Sequence, residues 1–252
     1  MGKPSVVDET IEYAVLFKPH RVHTVPLKGR TGGHEPNLLD WYGRLFPKAL
    51  TVCGRHPWEG GVLHRLDYET QGLVLVAKTQ RAMQVLITQQ EEGRIIKEYR
   101  ALTTKRADPL PGFPPSPRNG VEASYIASGF RPYGPGRKAV RPVLFPAGKP
   151  QKICTLDRGN PYITEVLRKE STSIGDTAFR LRLIRGFRHQ IRCHLAWIGY
   201  PIVNDALYGG VIRDTPPAGE LPEFPVLALV AEGIRFFDPR TGDPRRYTLE
   251  TG

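Results

Sequence analysis

The sequence predicts an α+β fold built on a mixed sheet. Three observations carry this: strand-like stretches alternate irregularly with helix-like ones, the helices are few, and one strand-like run is apolar on both faces. That run is "LVLVA" at 73–77, five consecutive apolar residues bounded by Gly72 and by Lys78–Thr79, the pattern of a strand buried on both sides. Upstream, "IEYAVLFKPHRVHTVP" reads as a short strand and a proline-directed turn. "NLLDWYGRLFP" spaces Leu38, Leu39, Trp41, Leu45 and Phe46 like one helix face. Beyond "LVLVA", Thr79 is placed to cap a helix, "QRAMQVLITQQEE", with an Ala82, Val85, Leu86 stripe and a stop at Gly93. "IIKEYRAL" resumes a strand with Lys97, Tyr99 and Ala101 on one face.

From about residue 108 to 150 the composition turns rich in Pro, Gly and Arg, which predicts an insertion carrying short strands or a mobile binding loop. Arg131, Tyr133, Arg137, Lys138 and Arg141 mix cations with an aromatic there, a combination suited to neutralising phosphates and stacking bases. A solvated connector would look the same. "TAFRLRLIRG" then alternates Phe179, Leu181 and Leu183 with Arg180 and Arg182, a half-buried strand with a basic outer face. "RHQIRCHLAWIG" reads as a helix with Ile191, Leu195 and Ile198 inward and Gly199 as its stop. The tail predicts a strand, a turn at Asp238–Gly242 and a last strand.

Lys and Arg total 36 against 25 Asp and Glu, a formal charge of +11 and a pI near 9.7. Charge spread along the whole chain points to a polyanionic partner, nucleic acid ahead of membrane. No window is long and apolar enough to span a bilayer, and the N-terminus lacks a signal-peptide core. The three cysteines, Cys53, Cys154 and Cys193, leave one unpaired in any internal scheme, which suits a reducing, cytoplasmic setting.

Several chemistries are set aside at this level. His189 and His194 are five apart on the expected helix, off a common face, and there is no CxxC or HExxH, so no metal is expected. "GRTGG" near residue 32 lacks the strand, spacing and lysine of a phosphate loop, so no nucleotide cofactor is expected, and no G-x-S-x-G surrounds a candidate serine nucleophile. The informative group is Arg65, Asp67, Tyr99, Arg188, His189, Gln190 and Arg192. If "HRLD" is extended, Arg65 and Asp67 share a face. A carboxylate that close to a core strand needs a partner, and Arg192 is a candidate that would keep Asp67 ionised. Residue types alone leave two readings, a structural ion pair, which they favour, and a catalytic carboxylate.

"HRLDYETQGLVLVAKT" closely resembles the pattern H-R-L-D-x-x-T-S-G-L-L-x-x-A-K-T of the RluA-type RNA pseudouridine synthases. "KEYRAL" is similar to that family's K-x-Y-x-A segment, and "GFRHQIRCHLAWIGYPIVNDALYGG" to its G-R-T-H-Q-I-R-x-H-L-x-x-x-G-x-P-I-x-G-D-x-L-Y-G stretch. "LFKPHRVHTVP" resembles its K-P-x-G-x-x-x-H-P opening strand, so four ordered motifs run from about residue 12 to 210. The resemblance implies a central, largely antiparallel sheet in two halves with a cleft between them, the pseudouridine synthase fold. It implies that Asp67 is the catalytic aspartate, Tyr99 the tyrosine beneath the target base and Arg192 the basic partner of Asp67. Arg65 matches the arginine that keeps a helix open when a base is extruded, and Arg188, His189, Gln190, Arg137 and Lys138 are expected to contact RNA.

The chain departs from the pattern at Gln71, at Phe187–Arg188 where the family has Arg and Thr, and at Asn204. Residues 1–252 are expected to form a single, monomeric catalytic domain that isomerises a uridine in ribosomal or transfer RNA. The sequence starts too close to the opening strand for the small N-terminal RNA-binding domain many relatives carry. The alternative is a non-catalytic RNA-binding or RNA-remodelling protein on the same scaffold. A glycosidic hydrolase would want a second carboxylate, and Glu69 is the one near neighbour.

Overall fold

The computed structural model describes residues 2–27, 37–117, 124–144, 159–213 and 226–249. Cys154 and the glycine-rich stretch near residue 32 lie outside them. In chain order the elements are β1 (Ser5–Glu9), β2 (Tyr13–Lys18), α1 (Leu38–Leu45), β3 (Gln71–Ala77), α2 (Gln80–Glu91), β4 (Ile96–Thr103), β5 (Tyr125–Tyr133), β6 (Ala139–Val143), β7 (Tyr162–Ser171), β8 (Thr177–Leu183), α3 (Gln190–Trp197), β9 (Leu229–Phe237) and β10 (Pro244–Thr248). They fall into two compact units, residues 1–97 with 230–252, and residues 98–229.

In the first unit the strand order is β1, β2, β3, β9, β10. The pairs are antiparallel except β3 with β9, which run parallel through Gln71↔Val230 and Gly72↔Ala231. The expected doubly buried strand is β3, every residue of which is buried. Its side chains Leu73, Leu75 and Ala77 join Tyr13, Val15, Ala82, Met83, Leu86, Ile234 and Phe236 in one core. Thr79 caps α2 by accepting from the Ala82 amide at 3.0 Å. Gly72 sits at φ +131, where a Cβ would lie 2.3 Å from the Ala231 carbonyl oxygen, so the close approach of β3 to β9 requires glycine. In α1 the buried residues are Leu38, Leu39, Tyr42 and Gly43, whereas Leu45 is 61% exposed. The helix is rotated from the expected face because the Tyr42 hydroxyl donates to Glu9 Oε1 at 3.0 Å, a polar anchor that apolar spacing does not reveal.

In the second unit the order is β4, β8, β7, β5, β6. The Pro, Gly and Arg-rich segment contributes β5 and β6, an antiparallel hairpin whose β5 also pairs with β7, so this part of it is sheet rather than loose loop. Helix α3 packs against β6 and β7, and all eight of its residues are buried, not one stripe only. It begins at Gln190; Arg188 and His189, expected inside it, form the turn before it, and His189 adopts φ +56. No helix among the described residues is long and apolar enough to cross a membrane.

Candidate active site

Asp67 is not part of β3. Residues 61–63 run antiparallel to β3, with Leu63 N–H donating to the Leu75 carbonyl at 3.0 Å and Ala77 N–H to the Gly61 carbonyl at 2.7 Å. The connection between these two stretches carries "HRLDYET", and it is closed by Thr70 N–H donating to the Asp67 carbonyl at 3.1 Å. Asp67 therefore sits in a turn ahead of the strand, partly exposed, and the alternation expected of an extended "HRLD" stops there.

The residues just after β2 brace this turn. Thr24 Oγ1 accepts from the Leu66 N–H at 3.1 Å and donates to the Leu66 carbonyl at 3.0 Å. The Tyr68 carbonyl accepts from the Arg21 N–H at 2.7 Å and from Lys18 Nζ at 3.4 Å. The residues on either side of Asp67 are thus pinned through their main chain by groups that do not use the Asp67 carboxylate. Lys18 is fully buried and also donates to the carbonyls of Pro19 at 2.9 Å and Val22 at 2.8 Å. Burial lowers its pKa to about 7, against the opposing pull of the Asp67 and Glu69 carboxylates. His23 stacks on Tyr68 with ring centroids 4.6 Å apart.

The flanking residues point in opposite senses. Arg65 is exposed, its guanidinium tied to Glu59 at 3.2 Å while 60% of the side chain faces solvent. His64 faces inward, accepting the Leu75 N–H on Nε2 at 3.3 Å. Burial, reinforced by the Lys97 charge, lowers its pKa to about 3, so it is a neutral structural imidazole. Burial and the Arg55 charge likewise lower Lys97 to about 8.

In the second unit, Tyr99 on β4 is 7% exposed. Arg192 is buried on α3, and Asp205 grips one edge of its guanidinium, with Nε to Oδ2 and Nη2 to Oδ1 both at 2.8 Å. The sequence offered Asp67 as the partner of Arg192; the carboxylate that binds this edge is Asp205, itself 1% exposed. The guanidinium lies 5.5 Å from the Tyr208 ring centre. Tyr208 in turn links three elements: its hydroxyl accepts from Val140 N–H at 2.9 Å and lies 3.2 Å from His189 Nδ1. Burial, and next the neighbouring Cys193, raises the Tyr208 pKa, which keeps it a phenol.

Of the other expected RNA contacts, Gln190 is 2% exposed and turned inward. Its amide accepts from Phe187 N–H at 3.0 Å and donates to the Ile163 carbonyl at 2.9 Å and to Thr164 Oγ1 at 3.1 Å, so it shapes the start of α3. Arg188 is exposed, and Arg137 and Lys138 are exposed at the tip of the β5–β6 hairpin. Sequence reasoning missed Lys18, Thr24, Asp205 and Tyr208. The "NDALYGG" run carried the last two as motif residues without roles, and a buried lysine has no signature in hydropathy. Among the described residues no group of three or more His, Cys, Asp or Glu could hold a metal.

The sequence profile of the RNA pseudouridylate synthases matches residues 12–197. The chain is 30% identical over 246 residues to the ribosomal large subunit pseudouridine synthase D of Haemophilus ducreyi, covering 95% of this chain and 64% of that protein. It is 33% identical over 243 residues to the protein of the same name from Pseudomonas aeruginosa, covering 94% and 65%. The chain thus spans about two thirds of the length of these relatives, a little under. Among solved structures, human RNA pseudouridylate synthase domain containing 1 is similar with a TM-score of 0.60 at 20% identity, covering 98% of this chain and 83% of that one. Human RNA pseudouridylate synthase domain containing 4 is similar with a TM-score of 0.60 at 16% identity, covering 98% and 88%.

Proposed function

The chain belongs to the RNA pseudouridylate synthase family, in its RluA-type branch, and from that membership we propose that it isomerises a uridine of large-subunit ribosomal RNA to pseudouridine. The observation that carries this reading is Asp67, in the family's motif, held in a turn whose neighbours are pinned by main-chain hydrogen bonds. The turn is held by main-chain bonds of the neighbouring residues, which fixes where the Asp67 side chain starts from. The ribosomal large subunit synthases among its relatives favour ribosomal over transfer RNA.

The reaction breaks the bond from N1 to the ribose, turns the base, joins C5 to the same sugar carbon and releases the C5 proton. It needs no net oxidation or reduction and no phosphoryl donor. The target base leaves its stack at a cost of about a few kcal/mol, offset by stacking and phosphate contacts. Asp67 initiates the isomerisation, Tyr99 supplies the stacking face, and Arg192, fixed by Asp205, supplies a buried positive charge. Arg65, largely exposed although paired with the buried Glu59, enters the gap left by the extruded base. The basic surface carrying Arg137 and Lys138 binds the phosphate backbone. The chain acts as a monomeric, cytoplasmic catalyst with RNA as its partner.

The family match favours this over a non-catalytic scaffold. Mapping pseudouridines in cellular large-subunit RNA with and without the gene tests it. One or more sites are expected to vanish when the gene is removed, and an unchanged map would refute the reading.

A further inference from the structure

The departure at Phe187–Arg188 has a structural counterpart in the second unit. Phe187 stacks face to face on Phe130 of β5, with centroids 5.0 Å apart and planes 5° apart, and packs against Tyr162 at 5.1 Å. This plants the turn before α3 on the base of the β5–β6 hairpin. From there Arg188 reaches the hairpin tip, where Nη2 donates to the Arg137 carbonyl at 2.8 Å and to the Ala139 carbonyl at 3.2 Å. Arg137 has φ +54, a left-handed conformation that a non-glycine residue keeps only when its surroundings enforce it. The Arg188 guanidinium on its carbonyl is such an enforcement. On the other side, the Tyr133 hydroxyl donates to the Pro111 carbonyl and Arg141 to the Gly112 carbonyl, while Val140 N–H is held by Tyr208.

The hairpin so fixed is strongly cationic. From Tyr125 to Val143 the chain contains Arg131, Arg137, Lys138 and Arg141 and no acidic residue. Arg131 and Arg141 face each other across the two strands, a like-charge pairing that is unfavourable until an anion lies over it. The side chains of Arg131, Arg137 and Lys138 make no ion pair among the described residues. A surface of this kind fits the phosphodiester backbone of RNA, and its cations are worth most when they need not be ordered on binding.

We infer that Arg188 is a positioning residue, not an RNA ligand: it locks the β5–β6 tip so that Arg137 and Lys138 meet consecutive phosphates. This rests on the proposed RNA substrate and adds to it a role for a side chain that the family pattern does not supply.

A mutant cycle on the full chain tests it, with transcribed large-subunit ribosomal RNA as the probe and affinity followed from 50 to 200 mM salt, on the order of the range where phosphate contacts dominate. R137A/K138A is expected to weaken binding about tenfold or more and to lower the salt slope by roughly 2. R188A should weaken it comparably. The triple variant should be no more than about twofold worse than R137A/K138A, since contacts that act through one another are not additive. Amide exchange should quicken in R188A at Arg137 and Val140 and stay unchanged in β3, and R188K, which keeps a donor, should recover part of the affinity.

Fold-losses that simply multiply in the triple variant would make Arg188 an independent RNA ligand and overturn the inference while leaving the proposed function standing. Unchanged exchange at the tip would overturn it also. Failure of the wild-type protein to bind this RNA would overturn both.

Discussion

Asp67 in the first unit and Arg192 in the second are positioned by opposite means. The turn carrying Asp67 is held through the main chain of its neighbours Leu66 and Tyr68, by Thr24, Arg21 and Lys18. Arg192 is held through its own guanidinium, by a buried bidentate carboxylate. The difference teaches that one residue can be placed largely through the main chain of its neighbours, whereas another is placed through the charge of its own side chain. It also makes the consequences of mutation unequal: losing Asp205 breaks a buried ion pair, while losing the Thr24 brace loosens geometry at a smaller cost in stability.

The largest expected effect is therefore Asp205→Ala. It removes the carboxylate that grips the Nε–Nη2 edge of the buried Arg192, and breaking such a buried pair costs about 3–5 kcal/mol. Thermal unfolding and activity should both collapse, and a variant with wild-type stability would show that Asp205 does not neutralise Arg192. Next is Gly72→Ala, where the added methyl meets the Ala231 carbonyl and the backbone conformation turns unfavourable. A loss above about 2 kcal/mol is expected in a urea titration, and a near-neutral result would mean that β3 and β9 can separate there at little cost.

Thr24→Val should behave differently. It removes both hydrogen bonds to Leu66 for about 1–2 kcal/mol of stability. Turnover should fall by more than binding does, on the order of tenfold or beyond, because a carboxylate misplaced by about 1 Å loses reactivity steeply. Thr24→Ser, which keeps the hydroxyl, should restore most of it, and parallel losses in both variants would count against the brace.

Lys18 adds a pH dependence to the comparison. Lys18 has a folded pKa near 7 against an ordinary 10.5. Between those values the unfolded chain holds a proton that the folded chain has released, so this residue makes stability rise with pH across that window. Below about pH 7 both states are protonated and the burial penalty is felt in full. Lys18→Met should flatten the rise in urea midpoint from pH 7 to 10, and an unaltered slope would locate the titration elsewhere.

How much of this was legible in the sequence differs between the same two places. The unbroken apolar run of β3, the Thr79 cap and the alternation of β8 all follow from local periodicity and were readable. Asp67 and Arg192 were identifiable through ordered motifs spread over most of the chain. What holds them was not. Lys18 reads as a surface residue because its burial depends on three carbonyls brought together by folding, and Asp205 is 13 positions from its partner with no periodic relation to it. The Pro and Arg-rich segment left short strands and a mobile loop both open because its prolines obscure strand periodicity; Arg141 and Tyr133 anchor part of it as a hairpin. The helix α3 was read as amphipathic although every residue is buried, since Arg192 and His194 are polar by type. His194 is buried because Ser128 and Thr164 satisfy both of its ring nitrogens, at 2.9 and 2.8 Å.

The central claim is that the Asp67 carboxylate is held for chemistry and not for architecture. The direct measurement is tritium release from large-subunit RNA labelled at uridine C5, with the wild-type chain, Asp67→Asn and Asp67→Ala, alongside RNA affinity and thermal unfolding of each. Both variants are expected to keep the unfolding temperature within about 3 °C and to bind RNA, but to release no tritium. Turnover by either variant, or unfolding as severe as that of Asp205→Ala, would contradict the account.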